Sequence, residues 1–137
     1  MSSSPNRMMA ILAGAIYIVA GLMGFTATGH IGFAAPQGGV VLGIFDVNPL
    51  QNIVNLIAGA VLLLAGLVSV LAAKVTNFIA GAVYLGVGIW GFFVDGTPAN
   101  VLATNTPGHL VHIVTALFLI AIALSADKRV RALRDPA

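Results

Sequence analysis

Four long apolar stretches separated by short polar interruptions make up most of the chain. No Asp, Glu, Lys or Arg occurs between Arg7 and Asp46, between Asp46 and Lys74, between Lys74 and Asp95, or between Asp95 and Asp127. The runs are continuous rather than alternating, which favours helices over strands. A helix crosses a bilayer with about 20 apolar residues at about 1.5 Å of rise each. The expected spans are Met8 to Ala27, Leu50 to Ala72, Val75 to Val94, and Pro107 to Ala126. Lys74 then falls in a tight turn between the second and third spans. The fold class expected is an all-α membrane protein, a single four-helix transmembrane domain over residues 1–137.

The pattern repeats. Displaced by 67 residues, Ala13-Gly14-Ala15-Ile16-Tyr17 falls on Ala80-Gly81-Ala82-Val83-Tyr84, and Gly21, Gly24 and Phe25 fall on Gly88, Gly91 and Phe92. Displaced by 57, Asn48 falls on Asn105, Asn52 on His109, Val54 on Val111 and Asn55 on His112. A tandem duplication of a two-helix hairpin is expected, with repeat units of about 7–72 and 74–126. Two copies of the same orientation imply a pseudo-two-fold axis along the membrane normal. Gly14, Tyr17, Gly21 and Gly24 share one helical face, as do Gly81, Tyr84, Gly88 and Gly91. Small residues on such faces let helix backbones approach closely in lipid.

Composition narrows the class. Of 137 residues, 59% are hydrophobic and 7% charged, with no cysteine, where soluble domains carry about 25% charged residues. A soluble domain, a disordered chain and a disulfide-stapled module are thereby excluded. The placement of charge sets orientation. Arg7, Lys74 and the C-terminal group Lys128, Arg129, Arg131 and Arg134 fall on one side, and the loops Thr28 to Pro49 and Asp95 to Thr106 hold no Lys or Arg. The positive-inside rule makes that side cytoplasmic, with both termini inside. The basic tail then reads as a helix end snorkelling into anionic headgroups rather than as a nucleic-acid site. No small-x-small cleavage site follows the first span, so it is read as a retained helix.

The candidate chemistry lies at the outer ends of the second and fourth spans. Asn48, Asn52 and Asn55, and in the second copy Asn105, His109 and His112, recur at spacings of four and three, one face of a helix. Asn48 and Asn105 stand where N-caps belong, with Pro49 and Pro107 just inside the helix starts. Asn55 and His112 lie about 10 Å deeper, where a polar side chain faces the bundle interior rather than lipid. Three readings are open: hydrogen bonds between the two faces that fix register, a metal or haem site using His109 and His112, or a pocket for a lipid headgroup or polar solute. Beyond that pair only His30, Asp46 and Asp95 could add ligands on the outer side, so no metal and no resident cofactor are expected. No carboxylate lies within a span, and the glycines around Gly29-His30-Ile31-Gly32 lack the basic partner of a phosphate loop. Val40 to Val47 is apolar for a loop and is expected on the outer interface or folded back over the bundle. Trp90, Phe92 and Phe93, with Phe25, read as an aromatic belt.

In the stretch Gly43-Ile44-Phe45-Asp46-Val47-Asn48-Pro49-Leu50, continuing to Asn52-Ile53-Val54-Asn55-Leu56, in Gly81-Ala82-Val83-Tyr84, and in Asn105 with His109-Leu110-Val111-His112, the chain resembles an actinobacterial family of small four-span membrane proteins of unknown function. The shared motif is Asn-Pro-Leu-x-Asn-x-Val-x-Leu. That resemblance implies a bacterial inner membrane, and histidines at the positions of Gln51 and Asn55 and at His112; this chain retains only the last. The function expected is that of an accessory or structural subunit packing against itself or a larger membrane complex, its partners being lipid and another membrane protein. The alternative is binding or transport through the outer Asn/His cluster of a lipid headgroup, quinone, haem or metal. Scarcity of charge removes most enzyme mechanisms.

Overall fold

A computed structural model describes residues 4–128. The elements are α1 (Pro5–Phe25), a short antiparallel hairpin of β1 (Gly39–Val41) and β2 (Phe45–Val47), α2 (Pro49–Val68), α3 (Val70–Val94) and α4 (Thr106–Ser125). All four helices are long and apolar enough to cross a membrane. The basic residues Arg129, Arg131 and Arg134 of the expected tail lie outside the described residues.

Helix starts follow from capping chemistry. The Asn48 side chain accepts from the Gln51 amide, and the Asn105 side chain from that of Gly108. A proline follows each cap, where no amide hydrogen is needed. Ser4 caps α1 through the Arg7 amide, so that helix begins three residues before the expected Met8.

The junction between the second and third helices differs from expectation. The break is at Ser69 rather than around Lys74, and Lys74 lies inside α3. Ser69 is extended, its amide closes α2 on Ala65 O, and its hydroxyl accepts from the Ala72 amide to open α3. A serine cap thus breaks the helix where a charge does not. Lys74 reaches the end of α4 instead, its Nζ donating to Ala126 O at 2.6 Å. Arg7 does the same for α2, donating from Nε to Gly66 O at 2.7 Å and from Nη2 to Leu67 O at 3.1 Å. Each basic residue satisfies carbonyls that a helix end leaves unpaired and complements its negative dipole end.

α1 packs chiefly on α2, and α3 on α4. The glycine faces form both seams. A Cβ on Gly14 would lie 2.6 Å from Leu63 N and 2.7 Å from Gly59 O. On Gly81 it would lie 3.1 Å from Ala116 O and 2.7 Å from Ile120 Cγ1. Gly21 faces Asn52 and Leu56, and Gly88 faces His109 and Ile113. These glycine contacts of the first hairpin thus recur in the second at the displacements of 67 and 57 seen in the sequence. Between the hairpins, Tyr17 and Tyr84 stack at 4.6 Å, flanked by the buried Leu62 and Leu119.

The termini meet at one end of the bundle. Asp127 accepts from Ser4 Oγ at 2.7 Å, Asn6 Nδ2 at 2.9 Å and the Asn6 amide at 3.2 Å. Asn77 Nδ2 in turn donates to Asn6 O at 3.0 Å and Asn6 Oδ1 at 3.2 Å. At the opposite end the apolar loop folds into the β-hairpin, turning through Leu42 and Gly43, both at positive φ. Asn105 Nδ2 holds its tip through Ile44 O, and Asn48 Nδ2 bonds Ala35 O and Val101 O.

Candidate functional site

The six residues that share a face in sequence separate into three layers. Asn48 and Asn105 cap their helices and tie down the loops. One turn deeper, Asn52 and His109 press their side chains onto Gly24 and Gly91, where any Cβ would overlap them. Asn52 Nδ2 donates to Thr28 Oγ1 at 3.0 Å; at the equivalent place His109 Nε2 stands 3.6 Å from Asp95 Oδ2, its ring tilted over Phe92. The Asn52 bond fastens an outer loop to the helix below it, while His109 stands beside the matching loop with neither ring nitrogen hydrogen-bonded.

The third layer is the deepest. Asn55 and His112 meet Gln51, whose Nε2 donates to Asn55 Oδ1 at 3.2 Å and lies 3.5 Å from His112 Nε2. The His112 ring stacks on Tyr84 at 5.3 Å, and Tyr17 Oη bonds Thr115 Oγ1 at 3.3 Å. His109 and His112 therefore belong to different layers, and among the described residues no group of three or more His, Cys, Asp or Glu is placed to hold a metal.

Two grooves flank this layer. One, of about 320 Å³, runs between α2 and α3 and is lined by Val54, Ala58, Val83, Tyr84 and Leu102. The other, of about 300 Å³, runs between α1 and α4 and is lined by Ile16, Tyr17, Phe45, Asp46 and Val111. Gln51 and His112 line both. Their walls correspond at the same displacements: Val83 to Ile16, Tyr84 to Tyr17, Val54 to Val111, and Leu102 to Phe45. The β-hairpin supplies the outer lip of the second groove, and burial lifts the Asp46 carboxyl above its ordinary pKa, with the Asp95 charge adding to the rise.

Gln51 is 3% exposed, His112 4% and Tyr84 5%, yet Gln51 Oε1, His112 Nδ1 and Tyr84 Oη have no hydrogen-bond partner. Buried polar atoms are nearly always paired, and an unpaired one costs about 1–3 kcal/mol. All three residues line one groove or both, and Asn52 Oδ1, Asn77 Oδ1 and the ring nitrogens of His109 are likewise unpaired. Gln51 lies one turn before Asn55 on the same face, a signal available in the sequence; Tyr17 and Tyr84 lie on the glycine faces. Asn6 and Asn77 could have been found by extending those faces toward the other end, Asn6 one turn beyond Ala10 and Asn77 one turn beyond Gly81.

Four apolar helices around a buried polar layer define a multi-pass helical membrane protein. Residues 7–125 match the model of a family described as a domain of unknown function, DUF4383, and the chain belongs to that family. Comparison with curated proteins and with solved structures gave no match.

Proposed function

We propose that the protein is an intramembrane binding protein that takes a small membrane-soluble amphiphile into one or both lateral grooves, the polar layer of Gln51, Asn55, His112 and Tyr84 receiving its head. The observation that carries this reading is the set of unpaired polar atoms on residues that line apolar grooves. Ligand sites are typically concave and mostly apolar, with a few polar groups that set orientation. The accessory-subunit reading draws on glycine-lined faces suited to a partner. Those faces are taken up inside the chain, where Gly14, Gly21, Gly59 and Gly81 each abut a neighbouring helix of the same molecule. Filling the grooves tests the proposal. Protein purified in mild detergent should retain a co-purifying amphiphile, measured by mass spectrometry of its organic extract, and Val54→Trp with Val111→Trp should lose most of it. Identical extracts from the wild-type and filled proteins would overturn the proposal.

The two hairpins read as a tandem duplication about a pseudo-two-fold axis, supported by their recurring contacts and by the Tyr17–Tyr84 stack between residues 67 apart. The orientation we propose, with Arg7 and Lys74 on the cytoplasmic side, rests on the positive-inside rule, and the placement in a bacterial inner membrane on the resemblance noted in the sequence. A cysteine at Asp95 should react with an impermeant maleimide in intact cells. Reaction only after lysis would reverse the orientation.

A further inference from the structure

The two grooves share a deep layer but differ in charge at their outer lips, and the difference selects the ligand, an inference that rests on the groove-binding reading above. The α1/α4 groove has Asp46, on β2 of the hairpin, in its lining. At the displacement of 57 residues Asp46 falls on Ala103, and the α2/α3 groove has no charged residue in its lining. A single charge thus distinguishes two otherwise corresponding grooves of about 300 and 320 Å³. Asp46 shares its lining with Gln51, Asn55 and His112, so a head received by the polar layer lies in the same cavity as the carboxylate.

That charge is uncompensated. Asp46 is half-buried, and among the described residues its carboxylate makes neither an ion pair nor a side-chain hydrogen bond. The charge that acts on it is a second carboxylate, Asp95. The outer loops, Thr28 to Pro49 and Asp95 to Thr106, hold no Lys or Arg, and Arg7 and Lys74 are engaged at the other end of the bundle. His109 is set against Asp95, and His30 makes no ion pair. A phosphate or carboxylate head at this lip would meet two like charges with no cation to pair it, and a neutral head would leave the carboxylate desolvated and unpaired. A positive nitrogen pairs it, while apolar walls such as Ile16, Val19 and Val111 take the chain. We infer that the α1/α4 groove selects an amphiphile with a positively charged nitrogen head, of the class of alkylammonium ions, paired with Asp46. The α2/α3 groove, with Ala103 at the matching position, is indifferent to head charge and serves as an internal control.

Three photoactivatable probes sharing a hexadecyl diazirine chain test this, with trimethylammonium, its uncharged carbon isostere tert-butyl, or phosphate as head. The full-length protein is irradiated with each in phosphatidylcholine nanodiscs, and labelled residues are mapped by mass spectrometry. Yields are taken relative to the outward-facing Leu67 and Phe93, which removes differences in partitioning. The expected result is labelling at Met23 or Val111 by the ammonium probe about fivefold above that by its isostere, with the phosphate weakest. That ratio is worth about 1 kcal/mol, the scale of a partly exposed ion pair. At Val54 and Val83, in the α2/α3 groove, the ammonium and tert-butyl probes should label equally. Asp46→Asn should abolish the preference and Asp46→Lys should transfer it to the phosphate, with a thermal melt of each variant verifying that it is folded. Equal labelling of the α1/α4 groove by ammonium and isostere, or a preference that survives Asp46→Asn, overturns the cationic assignment and leaves groove binding intact. Labelling in neither groove above that at Leu67 or Phe93 overturns both.

Discussion

Replacing Gly14 by alanine is expected to destabilise the fold by about 1–3 kcal/mol, the range for overpacking a filled interface. The added Cβ would meet backbone atoms of α2, at 2.6 Å from Leu63 N and 2.7 Å from Gly59 O. Neither is the flexible end of a side chain, so relief requires the two helices to move apart. In lipid no hydrophobic effect holds helices together, and close packing is a main source of their affinity. Gly86 is the matched control. Nothing lies within 4 Å of a Cβ built there, and alanine removes the backbone flexibility that makes glycine a poor helix former. Gly86→Ala should leave stability unchanged or raise it slightly. Denaturation by sodium dodecyl sulfate in mixed micelles measures both, and equal effects at the two sites would contradict the seam described above.

Asn6→Leu should cost a similar amount, about 1–3 kcal/mol, through loss of partners to buried polar groups. Asn6 is fully buried, donates twice to Asp127 and accepts from Asn77. Leucine would remove the carboxamide's bond to Asp127 and one of the two acceptors of Asn77. The same knot confers a pH dependence with a definite sign. Desolvation by itself raises the pKa of Asp127; bonds from Asn6 and Ser4, together with the Lys74 charge, outweigh it and hold the carboxyl below its ordinary value. A carboxyl whose folded pKa is depressed stabilises the fold above the unfolded value, and that contribution disappears as the pH falls through the folded one. Asp127→Asn should therefore lower the melting temperature by a few degrees at neutral pH. The difference should vanish on acidification below the ordinary carboxylate range, about pH 4. A difference that persists undiminished at pH 3 would remove Asp127 ionisation as the cause.

Much of the fold was legible because the bilayer imposes few solutions. The apolar runs could only be helices, and the faces carrying Gly14, Tyr17, Gly21 and Gly24, or His109, His112, Ala116 and Leu119, are the ones the structure buries. The Asn caps and their prolines were equally plain, since capping is local. The break at Ser69 was hidden because a charge attracts attention as a boundary, whereas a long Lys74 side chain can leave the helix body while its backbone stays helical. The β-hairpin was missed because its strands are three residues each, too short to show alternation. The polar face looked like one cluster because helical periodicity reports direction but not depth. Depth distinguishes Asn52 and His109, which lie beside the outer loops, from Gln51, Asn55 and His112, which line grooves. Gln51 became informative only once His112, on another helix, was seen beside it.

Ser69 joins the hairpins as a single extended residue between two rigid helices, so it acts as the spine of a book. The same edge of the molecule is sewn shut by Asp127, Asn6 and Asn77. The opposite edge, where the grooves have their outer lips, is held by loop contacts such as Asn105 with Ile44. The two leaves are thus bound by the chain itself at one edge and by side-chain and loop contacts at the other.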